Sequence, residues 1–145
     1  MADILVLEDD PETAFDLRTL LEDHGHDVRW LRGASAALAS LEETPADLVI
    51  ADIYIYRDGR VTQDGGISLI AAMRMSRGYN GTPRLDEIPV IAISGAGKHP
   101  GNKHILDVAM SVGAKHSLPK PVDHKALLSL TADLLPIGQD RQTAH

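Results

Sequence analysis

The sequence predicts an α/β protein built on a doubly wound, five-stranded parallel sheet, and three observations lead there. Ile4-Leu5-Val6-Leu7, Leu48-Val49-Ile50-Ala51 and Val90-Ile91-Ala92-Ile93 are unbroken apolar tetrads with turn or polar residues nearby, the pattern of strands covered on both faces. Val28-Arg29-Trp30 and His116-Ser117-Leu118 are shorter and more polar, as edge strands are. Helix-period segments fall between these runs, and five consecutive βα units close into a parallel sheet flanked by helices. Putting the two polar strands at the edges selects the flavodoxin-like order 2-1-3-4-5. The crevice for a ligand then lies beyond the carboxyl ends of the first and third strands.

Each helix has its own signals. Asp10-Pro11-Glu12 combines a capping carboxylate, a proline suited to the first helical position and an acid at the positive end of the dipole. Ala14, Leu17 and Leu21 follow at helical spacing, and Gly25 can end the helix. A second helix covers roughly 35–43, before Pro45, and a third follows Gly66 with Leu69, Ile70 and Met73 on one face. The fourth starts near Asn102, places Ile105, Val108, Ala109 and Val112 along one stripe and ends at Gly113. The fifth starts at Asp123 and carries Leu127, Leu130 and Leu134. Residues 1–135 thus form one domain, and 136–145 a polar C-terminal tail.

Composition narrows the function. A chain of 145 residues, 43% hydrophobic, suits one domain with a real core. No apolar run could span a bilayer, and the acidic start lacks the marks of a secretory signal. Without cysteine there are neither disulfides nor thiolate metal sites, which fits a cytoplasmic protein. The formal charge of −7, from 21 acidic and 14 basic residues with no basic block, argues against direct nucleic-acid binding and favours an acidic pocket that recruits a cation.

The acids stand where the topology puts the crevice. Glu8-Asp9-Asp10 follows the first strand and Asp52 the third. Carboxylates crowded together repel unless a cation neutralises them, and hard oxygen donors suit Mg²⁺. Asp10 by itself reads as a helix cap. Ser94 closes the fourth strand and Lys120 follows the fifth, before Pro121. A hydroxyl and an ammonium converging on a carboxylate–metal cluster would suit an anion of several oxygens, such as a phosphoryl group.

Four segments, Ile4–Pro11 (ILVLEDDP), Asp47–Tyr54 (DLVIADIY), Ile88–Ala96 (IPVIAISGA) and Gly113–Pro121 (GAKHSLPKP), resemble in order the strand-end signatures of response-regulator receiver domains. The resemblance spans about 3–135 and implies a two-component or phosphorelay switch. Asp52 would be the phosphoacceptor. Glu8, Asp9 and Asp52, with the backbone carbonyl of Tyr54, would hold Mg²⁺ (or Mn²⁺). Ser94 and Lys120 would engage the phosphoryl group, and the Lys120–Pro121 bond would be cis. The chemistry implied is in-line transfer from a phosphohistidine, followed by slow self-hydrolysis, with no other enzyme activity. The partners would be a sensor histidine kinase or histidine phosphotransfer protein and a downstream target, with no membrane and no output domain.

Three features depart from the family pattern. The stretch from Asp52 to Asp64-Gly65-Gly66 is long and contains a second Asp-Gly, Asp58-Gly59, suggestive of a hairpin, lid or partner contact. The glycine-rich loop 95–101, with Lys98 and His99, is extended. Ser117 occupies the position where the family's aromatic switch residue stands, with His116 beside it. Two competing readings are a pseudo-receiver that binds partners without phosphorylation, and a metal-dependent hydrolase with an aspartyl-phosphate intermediate. The complete set of site residues disfavours the first, and the absence of room for a cap domain disfavours the second. Flavin binding is disfavoured by an aromatic content of 3%.

Overall fold

The structure, a computed structural model, describes residues 2–53, 56–57, 60–61, 65–95 and 105–135. In chain order it runs β1 (Asp3–Leu7), α1 (Pro11–Asp23), β2 (Asp27–Leu31), α2 (Ala34–Glu43), β3 (Leu48–Asp52), β4 (Tyr56–Arg57), β5 (Arg60–Val61), α3 (Gly66–Met75), a 3-10 turn (Tyr79–Gly81), β6 (Val90–Ser94), α4 (Ile105–Val112), β7 (His116–Pro119) and α5 (His124–Leu134). The five longer strands form one parallel sheet, ordered β2-β1-β3-β6-β7. In sequence order that is the expected 2-1-3-4-5, with the polar strands at the edges.

The unbroken apolar tetrads are explained by two separate cores. Leu5, Leu7, Val49, Ala51, Val90 and Ala92 face α2, α3 and α4, packing with Leu41, Leu69, Ile70, Met73 and Ala109. Ile4, Val6, Leu48, Ile50, Ile91 and Ile93 face the other way, onto Leu17 and Leu21 of α1 and Leu127 of α5. Each fully buried Leu or Ile contributes roughly 1.5–3 kcal/mol relative to exposure, so a polar residue on either side of a central strand would be costly. The C-terminal ends of the strands escape this demand.

Local chemistry sets the helix starts. The Asp10 carboxylate accepts from the Thr13 N–H at 3.3 Å and the Thr13 hydroxyl at 2.7 Å, and Asp123 caps α5 through the Lys125 N–H. The stripe expected on α4 is narrower than the sequence suggested: Ala109 is buried and Val112 half-buried, but Val108 faces solvent.

The segment after α3 was not anticipated. It makes the 3-10 turn and a bridge between Arg77 and Arg84. The half-buried Arg74 guanidinium fastens it, donating to the carbonyls of Asp86 (3.0 Å), Ile88 (2.9 Å) and Gly113 (3.2 and 2.8 Å).

In the insertion after Asp52, β4 and β5 pair antiparallel, Tyr56 with Val61 and Arg57 with Arg60, on either side of the Asp58-Gly59 dipeptide. Asp58-Gly59 itself, Asp64, residues 96–104 with Lys98 and His99, and the tail 136–145 lie outside the described residues. Among the described residues, no helix is long and apolar enough to cross a membrane.

Candidate functional site at the carboxyl edge of the sheet

The registers Leu7↔Ala51 and Asp52↔Ile93 bring the ends of β1, β3 and β6 level. Glu8 follows Leu7 directly and Asp52 is the last residue of β3. Both side chains are buried, Glu8 completely and Asp52 to 2% exposure. Asp9 is half-buried. One carboxylate oxygen from each of the three lies within 4.8 Å of the others.

Lys120 reaches this cluster from beyond β7. Its backbone N–H donates to the Ser94 carbonyl at 2.9 Å, and the Lys120–Pro121 peptide is cis, as expected. Its ammonium lies 2.8 Å from Glu8 Oε2 and 2.9 Å from Asp52 Oδ2. Burial opposes its charge, but Asp52 and Glu8 outweigh that and hold its pKa above the ordinary value. Ser94 is fully buried at the end of β6.

One ammonium does not balance three carboxylates. Burial, the Asp52 charge and a hydrogen bond with the Asp52 side chain push the Glu8 pKa up to about 8, against the opposing pull of Lys120. A buried, all-oxygen donor set with excess negative charge is what a small hard cation such as Mg²⁺ requires. The residues present therefore fit the metal implied by the sequence.

The structure thus brings Glu8, Asp9, Asp52 and Lys120 together, with Ser94 joined to Lys120 through the backbone. Tyr54, expected to lend a carbonyl, lies outside the described residues. Ser117 is half-buried in register with Ala92, and His116 with Ile91.

Two neighbours of the site escaped the sequence reading. Gly66 opens α3 directly against β3: a Cβ there would stand 2.7 Å from the Asp52 carbonyl oxygen and 3.1 Å from Ile53 Cδ1. Trp30 Nε1–H donates to the Glu8 carbonyl at 2.7 Å. The Gly65-Gly66 pair was a visible signal for the first, whereas nothing in the sequence marks the second.

A five-stranded 2-1-3-4-5 sheet with carboxylates and a lysine gathered at its carboxyl edge defines a class, and comparison with known proteins identifies it. Residues 4–132 match the family model described as the response regulator receiver domain, so this chain belongs to the receiver-domain family of two-component signalling. It is 34% identical over 126 residues to the two-component response regulator PprB of Pseudomonas aeruginosa, across 86% of this chain and 40% of PprB. It is 27% identical over 129 residues to the nitrogen assimilation regulatory protein NtrX of Azorhizobium caulinodans, across 89% of this chain and 25% of NtrX. The chain therefore spans less than half the length of either relative. Among solved structures, the receiver domain of NtrX from Brucella abortus superposes with a TM-score of 0.73 at 27% identity, covering 92% of this chain and 98% of that one.

Proposed function

We propose that this chain is a phosphorylatable switch that takes a phosphoryl group onto Asp52 from a phosphohistidine, carried by a sensor histidine kinase or a phosphotransfer protein. The observation that carries the reading is the position of the Asp52 carboxylate. It ends a central strand, is almost fully buried, and lies beside the carboxylates of Glu8 and Asp9 with the Lys120 ammonium at 2.9 Å.

In this reading an Asp52 oxygen attacks phosphorus in line. The P–O bond forms as the P–N bond to imidazole breaks, and the imidazole leaves with a proton. Glu8, Asp9 and Asp52, with the Tyr54 carbonyl, would hold Mg²⁺ or Mn²⁺. The bound ion would neutralise charge on the phosphoryl oxygens. Lys120 supplies the second positive charge, and the Ser94 hydroxyl donates to a phosphoryl oxygen. Attack of water on the acyl phosphate returns Asp52 and inorganic phosphate, so the domain also resets itself. The domain proper is residues 1–135, and 136–145 a tail. The reading implies a cytoplasmic protein that signals through protein–protein contacts with a downstream target and does not bind nucleic acid directly.

Incubation with Mg²⁺ and acetyl phosphate should add one acid-labile phosphoryl group by intact mass. Asp52→Asn should abolish the gain and Asp9→Ala should reduce it sharply. Phosphoryl label retained by Asp52→Asn would move the acceptor elsewhere and overturn the assignment.

A further inference from the structure

We infer that Trp30 is a positioning residue for the cation site, holding the acidic turn Glu8-Asp9 in its binding geometry through the Glu8 backbone. The inference rests on the proposal that these acids hold Mg²⁺.

The backbone after β1 is gripped from β2 and the residue beyond it. The β1–β2 ladder ends at the pair Leu7↔Leu31, and the Glu8 N–H donates to the Leu31 carbonyl at 3.1 Å. Beyond that pair, the Glu8 carbonyl is taken by the Trp30 indole N–H at 2.7 Å. One residue further, Arg32 Nη2 donates to the Asp9 carbonyl at 3.2 Å. The Arg32 guanidinium also lies over the Trp30 ring, 5.4 Å from its centroid, so the two donors support each other. From inside the turn, Glu8 Oε1 accepts from the Asp10 N–H at 3.1 Å.

This grip matters because the side chains it carries repel one another. Three carboxylates with oxygens within 4.8 Å push an unrestrained turn outward, and Asp9, the most exposed of them, would swing away first. Fixing the two carbonyls removes that freedom before the cation arrives, and preorganisation of this kind raises affinity without any new contact to the ligand. The donor chemistry is suited to the task. Indole and guanidinium groups donate and cannot accept, so neither can compete with the carboxylates as a ligand. The outer side of the Trp30 ring faces an open cleft shared with Pro11 and Phe15, so packing alone would not require the N–H to be satisfied at the Glu8 carbonyl.

Trp30→Phe keeps an aromatic ring and removes the donor. Calorimetric titration of the full chain with Mg²⁺, without phosphodonor, should show affinity weakened about five- to tenfold. Arg32→Met, at an exposed side chain, should weaken it in the same direction by a smaller factor. In wild type the resonance of the chain's one indole N–H should shift on Mg²⁺ addition, and it should not shift in Asp52→Asn. Mg²⁺ affinity within twofold of wild type in a folded Trp30→Phe would overturn the inference, whatever happens to its melting temperature. If Trp30→Phe does not fold, unchanged affinity in Arg32→Met overturns it instead. A wild-type chain that binds no Mg²⁺ would refute the cation site itself, a result distinct from the other two.

Discussion

Glu8 Oε2 and the Lys120 ammonium meet at 2.8 Å across the carboxyl edge of the sheet, yet the Glu8 pKa is pushed up to about 8. Its burial and the neighbouring Asp52 outweigh the ion pair, so in the cation-free protein this contact is under electrostatic load.

That load sets a pH dependence. A carboxyl whose folded pKa is about 8 against an ordinary 4.5 binds its proton more tightly in the folded chain. Glu8 therefore makes stability fall as pH rises from about 4.5 to about 8, with no further change above. His26 acts in the opposite sense, because burial holds its pKa below 6.5 and its contribution is lost as pH falls through that range. Urea unfolding from pH 5 to 9 should therefore show a downward slope in wild type that Glu8→Gln lacks, their difference isolating Glu8. Millimolar Mg²⁺ should flatten the wild-type slope. Parallel profiles for the two proteins would contradict the crowded-carboxylate picture.

Asp52→Asn should raise cation-free stability. It removes the repulsion of Glu8 and Asp9 but also the attraction to Lys120. At an effective dielectric near 20 each such close pair is worth about 4 kcal/mol, so the two nearly cancel and relief of the buried carboxylate's desolvation decides the sign. The same variant should lack the Mg²⁺-dependent rise in melting temperature that preferential binding of the ion would give wild type. A clear drop in its cation-free stability, read by calorimetry, would mean that the Asp52–Lys120 contact outweighs the repulsion.

Gly66→Ala should be destabilising despite lying in a helix. Alanine gains about 1 kcal/mol in helix propensity over glycine, but its Cβ would meet the Asp52 carbonyl oxygen at 2.7 Å. Overpacking against backbone costs typically 1–3 kcal/mol, and relief can come only by shifting α3 or the end of β3. Chemical denaturation should show a net loss, and Mg²⁺ titration a weakened site. Gly25→Ala, in open space at φ +89°, should cost stability through backbone strain alone and leave Mg²⁺ affinity unchanged.

Arg74→Met should cost about 2–4 kcal/mol, because the carbonyls of Asp86, Ile88 and Gly113 would lose a charged donor together. Hydrogen exchange should report the loss locally, at the Ala114 and Lys115 amides beside Gly113. A melting temperature equal to wild type would show that water replaces the guanidinium without penalty.

The sheet was legible because burial on both faces leaves a mark in composition: the tetrads at 4–7, 48–51 and 90–93 each fall within an observed strand. The acids were legible because topology says where strand ends must converge. Val108 was misplaced because helical periodicity records spacing and not how deeply a short helix sits. The Arg74 contacts and the Trp30–Glu8 hydrogen bond left no trace in pattern. Both join a side chain to distant backbone carbonyls, and a carbonyl has no sequence signature. The segment 76–89 was passed over because its contacts are backbone turns rather than apolar periodicity.

The Arg74 guanidinium works as a rivet through three layers of chain. From α3 it holds the Gly113 carbonyl, just beyond the last turn of α4, and the Asp86 and Ile88 carbonyls ahead of β6, while Ala109 of α4 is buried in the same core. Any shift of that end of α4 would have to break these bonds or drag α3 and the start of β6 along with it. An arginine far from the acidic cluster would in this way bind three elements into one moving part.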